Sequence, residues 1–171
     1  MTPVFVDTSA ILALLVADDP NHAAANRAFA RARRGDAEFV TTSYVLVETY
    51  ALLGRRLGQA AAQRFRKELA PLFSVRWVDE PLHEEGLDLL EKDERRNLSL
   101  VDAVSFAAAR ERGLDVVFAF DRHFVEAGFR LLSRRRPRPC PRRGGGEEGR
   151  GGVGPKGRRG TRRVPLINGS E

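Results

Sequence analysis

The stretch 4–7 reads V-F-V-D, three apolar residues running straight into an acid, and the stretch 116–121, V-V-F-A-F-D, repeats that arrangement late in the chain. Short apolar runs bounded by turn formers read as buried strands. Further runs of this kind lie at 38–41, 75–78 and 129–132. The stretches between them have helical spacing. Asp19 followed by Pro20 is expected to cap a helix that reaches Arg34 and is ended by Gly35. Ser43 is expected to open a helix reaching Arg56, and 82–95 is expected to form another. Ser99 with Asp102 three residues on has the form of a capping box, opening a helix that Gly113 stops. Strands separated by helices predict an α/β fold with a central parallel sheet of about five strands and helices on both faces.

The chain has 171 residues, about one domain, with 42% hydrophobic and 30% charged residues. No apolar run approaches the length of a membrane-spanning helix. The start, M-T-P-V-F-V-D-T-S-A, has no basic lead-in and carries Asp7, so it does not read as a secretory signal, and the cytoplasm is the expected compartment. One cysteine, Cys140, excludes an intramolecular disulfide, and no Cys/His cluster has zinc spacing. The net charge of +6 suggests a nucleic-acid binder until its distribution is read. Residues 1–132 carry 17 Lys plus Arg against 20 Asp plus Glu, a net −3, while residues 133–171 carry 12 against 3, a net +9. This last segment is rich in Gly, Pro and Arg and has no aromatic residue, so it is expected to be a disordered basic tail following a folded domain over 1–132.

In a doubly wound sheet the functional crevice lies at the carboxyl ends of the strands. Asp7 and Asp121 end two predicted strands there. Glu48, within S-Y-V-L-V-E-T-Y-A-L-L, and Asp102, within L-S-L-V-D-A-V-S-F, interrupt otherwise apolar helices. Four carboxylates from four elements can therefore converge. Crowded like charges need a cation, and hard divalent ions with oxygen ligands, Mg2+ or Mn2+, suit such a set while keeping sites open for substrate phosphate. Paired ions of this kind support in-line phosphodiester hydrolysis.

The motifs V-F-V-D-T-S-A at 4–10, T-T-S-Y-V-L-V-E-T around Glu48, S-L-V-D-A-V-S-F at 99–106 and F-A-F-D-R-H-F at 118–124 together resemble the PIN-domain ribonucleases, most of all the VapC-type toxins of bacterial toxin–antitoxin pairs. The resemblance covers about residues 3–132. It implies a Rossmann-like PIN domain and a magnesium- or manganese-dependent endoribonuclease. Asp7, Glu48, Asp102 and Asp121 would be the catalytic, metal-binding acids, with Asp7 and Asp102 foremost as direct ligands and Ser9 as a supporting hydroxyl. The chain departs from the family pattern at Ala119, where many relatives carry Ser or Thr. The implied partners are an RNA substrate, a cognate antitoxin protein and a second copy of the chain; no membrane is implied.

The structural alternatives for these residues are turn formation for Asp7 and Asp121, helix capping for Asp102 and an exposed helix position for Glu48. Glu84, Glu85, Asp88, Glu91, Asp93 and Glu94 crowd one helix beside Lys92, Arg95 and Arg96 and read as a solvated face. His22 and His123 have no spaced partner for zinc or a triad and read as surface or loop residues. Phe5, Phe39, Trp77, Phe118 and Phe120 are expected in the core of strands, and Phe124 and Phe129 near the domain's C-terminal edge. Arg27, Arg55, Arg56, Arg95 and Arg122 are candidate phosphate contacts. An aspartyl phosphatase would need a second acid two residues after Asp7, where Ser9 stands, and a receiver domain would need a lysine near a late strand, whereas Lys67 and Lys92 are the only lysines before residue 133. The remaining alternatives are a stand-alone RNA-processing nuclease and a non-catalytic RNA-binding module that uses the basic tail. Salt-sensitive binding that survives loss of the acids would mark the latter.

Overall fold

A computed structural model describes residues 2–93 and 98–132. The tail from Ser133, with its expected disorder, lies outside the described residues, as do Glu94, Arg95, Arg96 and the end of the helix expected over 82–95. Within the described residues the chain alternates strand and helix. The strands are β1 (Pro3–Val6), β2 (Glu38–Thr42), β3 (Phe73–Arg76), β4 (Val116–Phe118) and β5 (Arg130–Leu131). The helices are α1 (Thr8–Leu15), α2 (His22–Arg34), α3 (Ser43–Arg56), α4 (Gln59–Arg64), α5 (Glu80–Lys92), α6 (Leu100–Glu111) and α7 (Arg122–Glu126). All strand pairings are parallel, in the order β3-β2-β1-β4-β5. The chain steps outward from β1 through β2 to β3 and then returns to the other side of β1 with β4. The topological switch point is therefore the seam between β1 and β4, the place where α/β sheets bind ligands.

Both faces of the sheet are covered, which is why its strands read as continuous apolar runs rather than alternating ones. Val4, Phe5 and Val6 are all buried although neighbouring side chains point to opposite faces. Phe39, paired with Val4, stacks on Phe29 of α2 with centroids 4.8 Å apart, and Phe29 also meets Phe118. On the other face Phe5 meets Phe124 of α7, which sits edge-on to Phe106 of α6 at 4.9 Å.

Local chemistry moved several expected boundaries. The helix assigned to an Asp19 cap begins instead at His22, because the Asp19 side chain accepts from Asn21 N at 2.7 Å and closes a turn ahead of it. His22 Nδ1 is held against Ala13 O at 2.8 Å, so this half-buried ring serves that turn. Thr42, not Ser43, caps α3 by accepting from Val45 N; the Ser43 hydroxyl accepts from Val78 N at 3.0 Å. That bond, and the Asp79 cap of α5, pull the chain out of the sheet after Arg76, so β3 runs two residues earlier than the expected 75–78. Trp77 is correspondingly outside the strand and 71% exposed rather than in the core. The capping box of Ser99 and Asp102 and the stop at Gly35 are as expected, and Gly113 adopts φ +63° just past the end of α6.

Helices α5 and α6 pack closely because Gly86 has no side chain. A methyl group there would overlap Val104 Cγ2 and lie 3.3 Å from Val104 Cα, and Val104 is fully buried. Gly86→Ala should therefore lower stability by about 1–3 kcal/mol through overpacking, even though alanine favours a helix by about 1 kcal/mol. Urea denaturation reads the outcome; an unchanged or raised midpoint would show that the two helices separate at no cost.

Candidate active site

Asp7 follows β1 directly and caps α1. Its backbone N–H donates to Phe118 O at 3.0 Å, tying the end of β1 to the end of β4, and its carbonyl accepts from Ala10 N and Ile11 N. The carboxylate Oδ2 accepts from both the backbone N–H and the hydroxyl of Ser9. The same hydroxyl accepts from Phe120 N at 2.9 Å, so Ser9 clamps Asp7 to the segment leaving β4. The side chain of Asp7 is buried, and its carboxyl is pushed up to about 6, chiefly by burial and also by the charges of Asp102 and Glu48, against the lowering pull of the Ser9 bonds. Those two acids thus lie close enough to Asp7 to act on it, although they come from α6 and α3.

Asp102 sits on the first turn of α6. Its Oδ2 accepts from Ser99 N at 3.1 Å and Ser99 Oγ at 2.7 Å, and its side chain is 16% exposed. The capping role expected of Asp102 is met. Asp7 and Asp102 share a design: in each, a serine two or three residues away places two donors on Oδ2, and no hydrogen bond among the described residues falls on Oδ1. Glu48 lies half-buried on α3, on the turn after Tyr44, whose hydroxyl bonds His83 Nδ1 of α5 at 2.9 Å. Asp121 stands three residues past β4 rather than directly at its end, and caps α7 by accepting from His123 N at 2.9 Å.

His123, expected on the surface, belongs to this group instead. Its side chain is 16% exposed, and Nδ1 lies 3.2 Å from Asp121 Oδ1 and 4.0 Å from Asp102 Oδ2. Phe124, fully buried beside it, draws the turn inward. In the sequence D-R-H-F only the capping acid and the buried Phe124 three residues after it stand out, and neither marks the histidine ring. Of the candidate phosphate contacts, Arg27, Arg55, Arg56 and Arg122 are all exposed, and Arg122 faces Glu126 at 3.7 Å.

Among the described residues, no three Asp, Glu, His or Cys side chains stand close enough to hold one metal ion between them. A zinc cage is thereby excluded for these residues, since it needs three or four direct ligands. Mg2+ and Mn2+ take one or two carboxylates and keep waters in the remaining positions. The available donors, two carboxylates each clamped on one oxygen with further acids nearby, fit that pattern.

The family model for the PIN domain matches residues 4–130. The 23S rRNA-specific endonuclease VapC20 of Mycobacterium tuberculosis is 38% identical over 127 residues, spanning 74% of this chain and 95% of the relative. The crystal structure of Mycobacterium tuberculosis VapC20, described as a Sarcin-Ricin loop cleaving toxin, superposes with a TM-score of 0.67 at 37% identity, over 74% of this chain and 95% of that one. DNA-bound VapBC from Salmonella typhimurium shares the fold at a TM-score of 0.58 and 17% identity, over 77% of this chain and 97% of that one. The parallel sheet with Asp7 at its switch point and these matches agree: the chain belongs to the PIN-domain family.

Proposed function

We propose that this protein is a metal-dependent endoribonuclease, the toxin of a toxin–antitoxin pair, which hydrolyses phosphodiester bonds of RNA. The observation that carries the reading is Asp7: a buried carboxylate at the β1–β4 seam, clamped on one oxygen by Ser9 and subject to the charges of Asp102 and Glu48. Keeping so crowded an acid charged is costly without a cation, and the cost is offset when one binds. The 38% identity to a 23S rRNA-specific endonuclease supports RNA, and ribosomal RNA in particular, as the substrate.

Asp7 and Asp102 would hold Mg2+ or Mn2+ through their Oδ1 atoms, which carry no hydrogen bond among the described residues, with Glu48 and Asp121 acting directly or through water. The bound ion would supply a nucleophile at neutral pH and neutralise charge on the phosphate. Ser9 fixes the Asp7 carboxylate and aligns it with the β4 exit, and Ser99 does the same for Asp102 on α6. Asp121 orders the turn that brings His123 and the Arg122 cation to the same edge. A cognate antitoxin and a second copy of the chain are the partners that belong to this reading, with a basic antitoxin side chain placed to neutralise the acids. Among the described residues no helix is long and apolar enough to cross a membrane.

The test is incubation of purified protein with bacterial ribosomes and with naked ribosomal RNA, the cut mapped by primer extension. A discrete cut is expected with Mg2+ or Mn2+ and none with EDTA. Equal cutting in EDTA, or intact RNA under every metal condition, would overturn the reading.

A further inference from the structure

His123 Nδ1 is a buried nitrogen with no hydrogen bond among the described residues, although two carboxylate oxygens stand beside it. A buried polar atom left unpaired is costly, so such atoms in working proteins have a partner within small reach. The nearest acceptor is Asp121 Oδ1 at 3.2 Å, followed by Asp102 Oδ2 at 4.0 Å. These two oxygens belong to different elements, the β4–α7 junction and the first turn of α6.

We propose that His123 is a positioning residue whose imidazole, with its proton on Nδ1, bridges the carboxylates of Asp121 and Asp102 and sets their separation. One side of the bridge is rigid: Asp102 Oδ2 is already held by Ser99 N and Ser99 Oγ. The other side is a tight turn, in which Asp121 accepts from the backbone N–H of His123 itself. Phe124, the next residue, is fully buried against Phe5 and Phe106 and anchors this turn in the core. At 3.2 Å the Asp121 oxygen is already within hydrogen-bonding distance, so the bridge asks only for a change in the angle of the ring. A donor placed between two like-charged groups also offsets their mutual repulsion. The importance of this spacing for metal binding rests on the nuclease reading above, whereas the bridge itself does not.

Three measurements test it. In the metal-free chain at pH 8, long-range 1H–15N NMR of the His123 ring should show the proton on Nδ1; a proton on Nε2 overturns the bridge. His123→Leu should weaken Mn2+ binding, read by electron paramagnetic resonance titration, and lower kcat for RNA cleavage, each by about ten- to a hundredfold with KM moved by no more than about twofold, the usual scale for groups that orient metal ligands. His123→Asn, whose amide nitrogen falls near the position of Nδ1, should recover most of both losses. His123→Gln, whose amide reaches the position of Nε2, should not. Wild-type Mn2+ affinity in His123→Leu, or better rescue by Gln than by Asn, overturns the proposal. If the Nδ1 proton is present but the wild-type chain neither binds Mn2+ nor cuts RNA, the nuclease reading fails and the bridge stands.

Discussion

Asp7→Asn is expected to reduce RNA cleavage by about a thousandfold or more, the several kcal/mol that a lost metal-ligand charge removes from the transition state. The fold should survive the change, because asparagine keeps the size of the side chain and an oxygen to accept the two Ser9 bonds. The metal-free variant should in fact be more stable than the parent at neutral pH. The Asp7 carboxyl is raised by burial from 3.8 to about 6 in the folded chain. Between those values the native state binds more proton than the unfolded state, so stability falls as pH rises through that window. Above it the full penalty applies, about 3 kcal/mol for a shift of this size. Asparagine has no such penalty. Urea denaturation in EDTA at pH 4, 6 and 8 should show the parent losing stability relative to Asp7→Asn as pH rises. A parent that gains on the variant over that range, or a variant that cleaves normally, would contradict the assignment.

Phe124→Ala should cost about 3–5 kcal/mol of folding stability, the usual loss for a phenylalanine removed from a packed core. The ring is fully buried and touches Phe5, Phe106 and Phe129 at centroid distances of 6.2, 4.9 and 6.0 Å. It is also the only buried residue of α7, a helix of five residues that is too short to persist without tertiary contact. Removing it therefore frees the turn that carries Asp121 and His123. Cleavage should fall even where the variant remains folded, so activity is to be measured well below its unfolding midpoint. A loss under about 1 kcal/mol would mean that the cavity collapses without cost.

The architecture was legible in the sequence wherever an element was long or fully buried. The runs at 4–6 and 116–118 read as strands because both faces of the sheet are covered, although the second was expected to reach Phe120 and stops at Phe118, and Ser99 with Asp102 read as a cap because capping is a local hydrogen-bond pattern. Boundaries set by contacts between distant segments were not legible. Ser43 reads as a cap from its neighbours alone, yet the sheet gives that task to Thr42 and leaves Ser43 for Val78, far along the chain. Trp77 reads as a core residue by type, and it is exposed because Asp79 starts α5 too soon for the strand to reach it. The stretch 57–72, a glycine-linked helix α4 with a π-turn over Phe65–Leu69 and a single 3-10 turn over Ala70–Leu72, carries no periodic signal long enough to read. The four acids stood out as candidates because carboxylates inside or directly after apolar runs are conspicuous. His123 was missed because nothing in the spacing of a lone histidine says that its ring folds back between two acids.

The clamp from Ser9 to Phe120 joins residues 111 positions apart, and β4 is inserted beside β1 only after β2, β3 and helices α1 to α6 have been made. Pairings that distant form late in folding. A growing chain on the ribosome holds Asp7 from the outset but has no strand to seat it, no Asp102 and no Asp121. The edge that carries these acids is therefore complete only once nearly the whole domain has emerged, and on the proposed function any product of premature termination before that point should be inert. For an enzyme proposed to attack the RNA of the machine that makes it, the order of the strands doubles as a delay on its own activation.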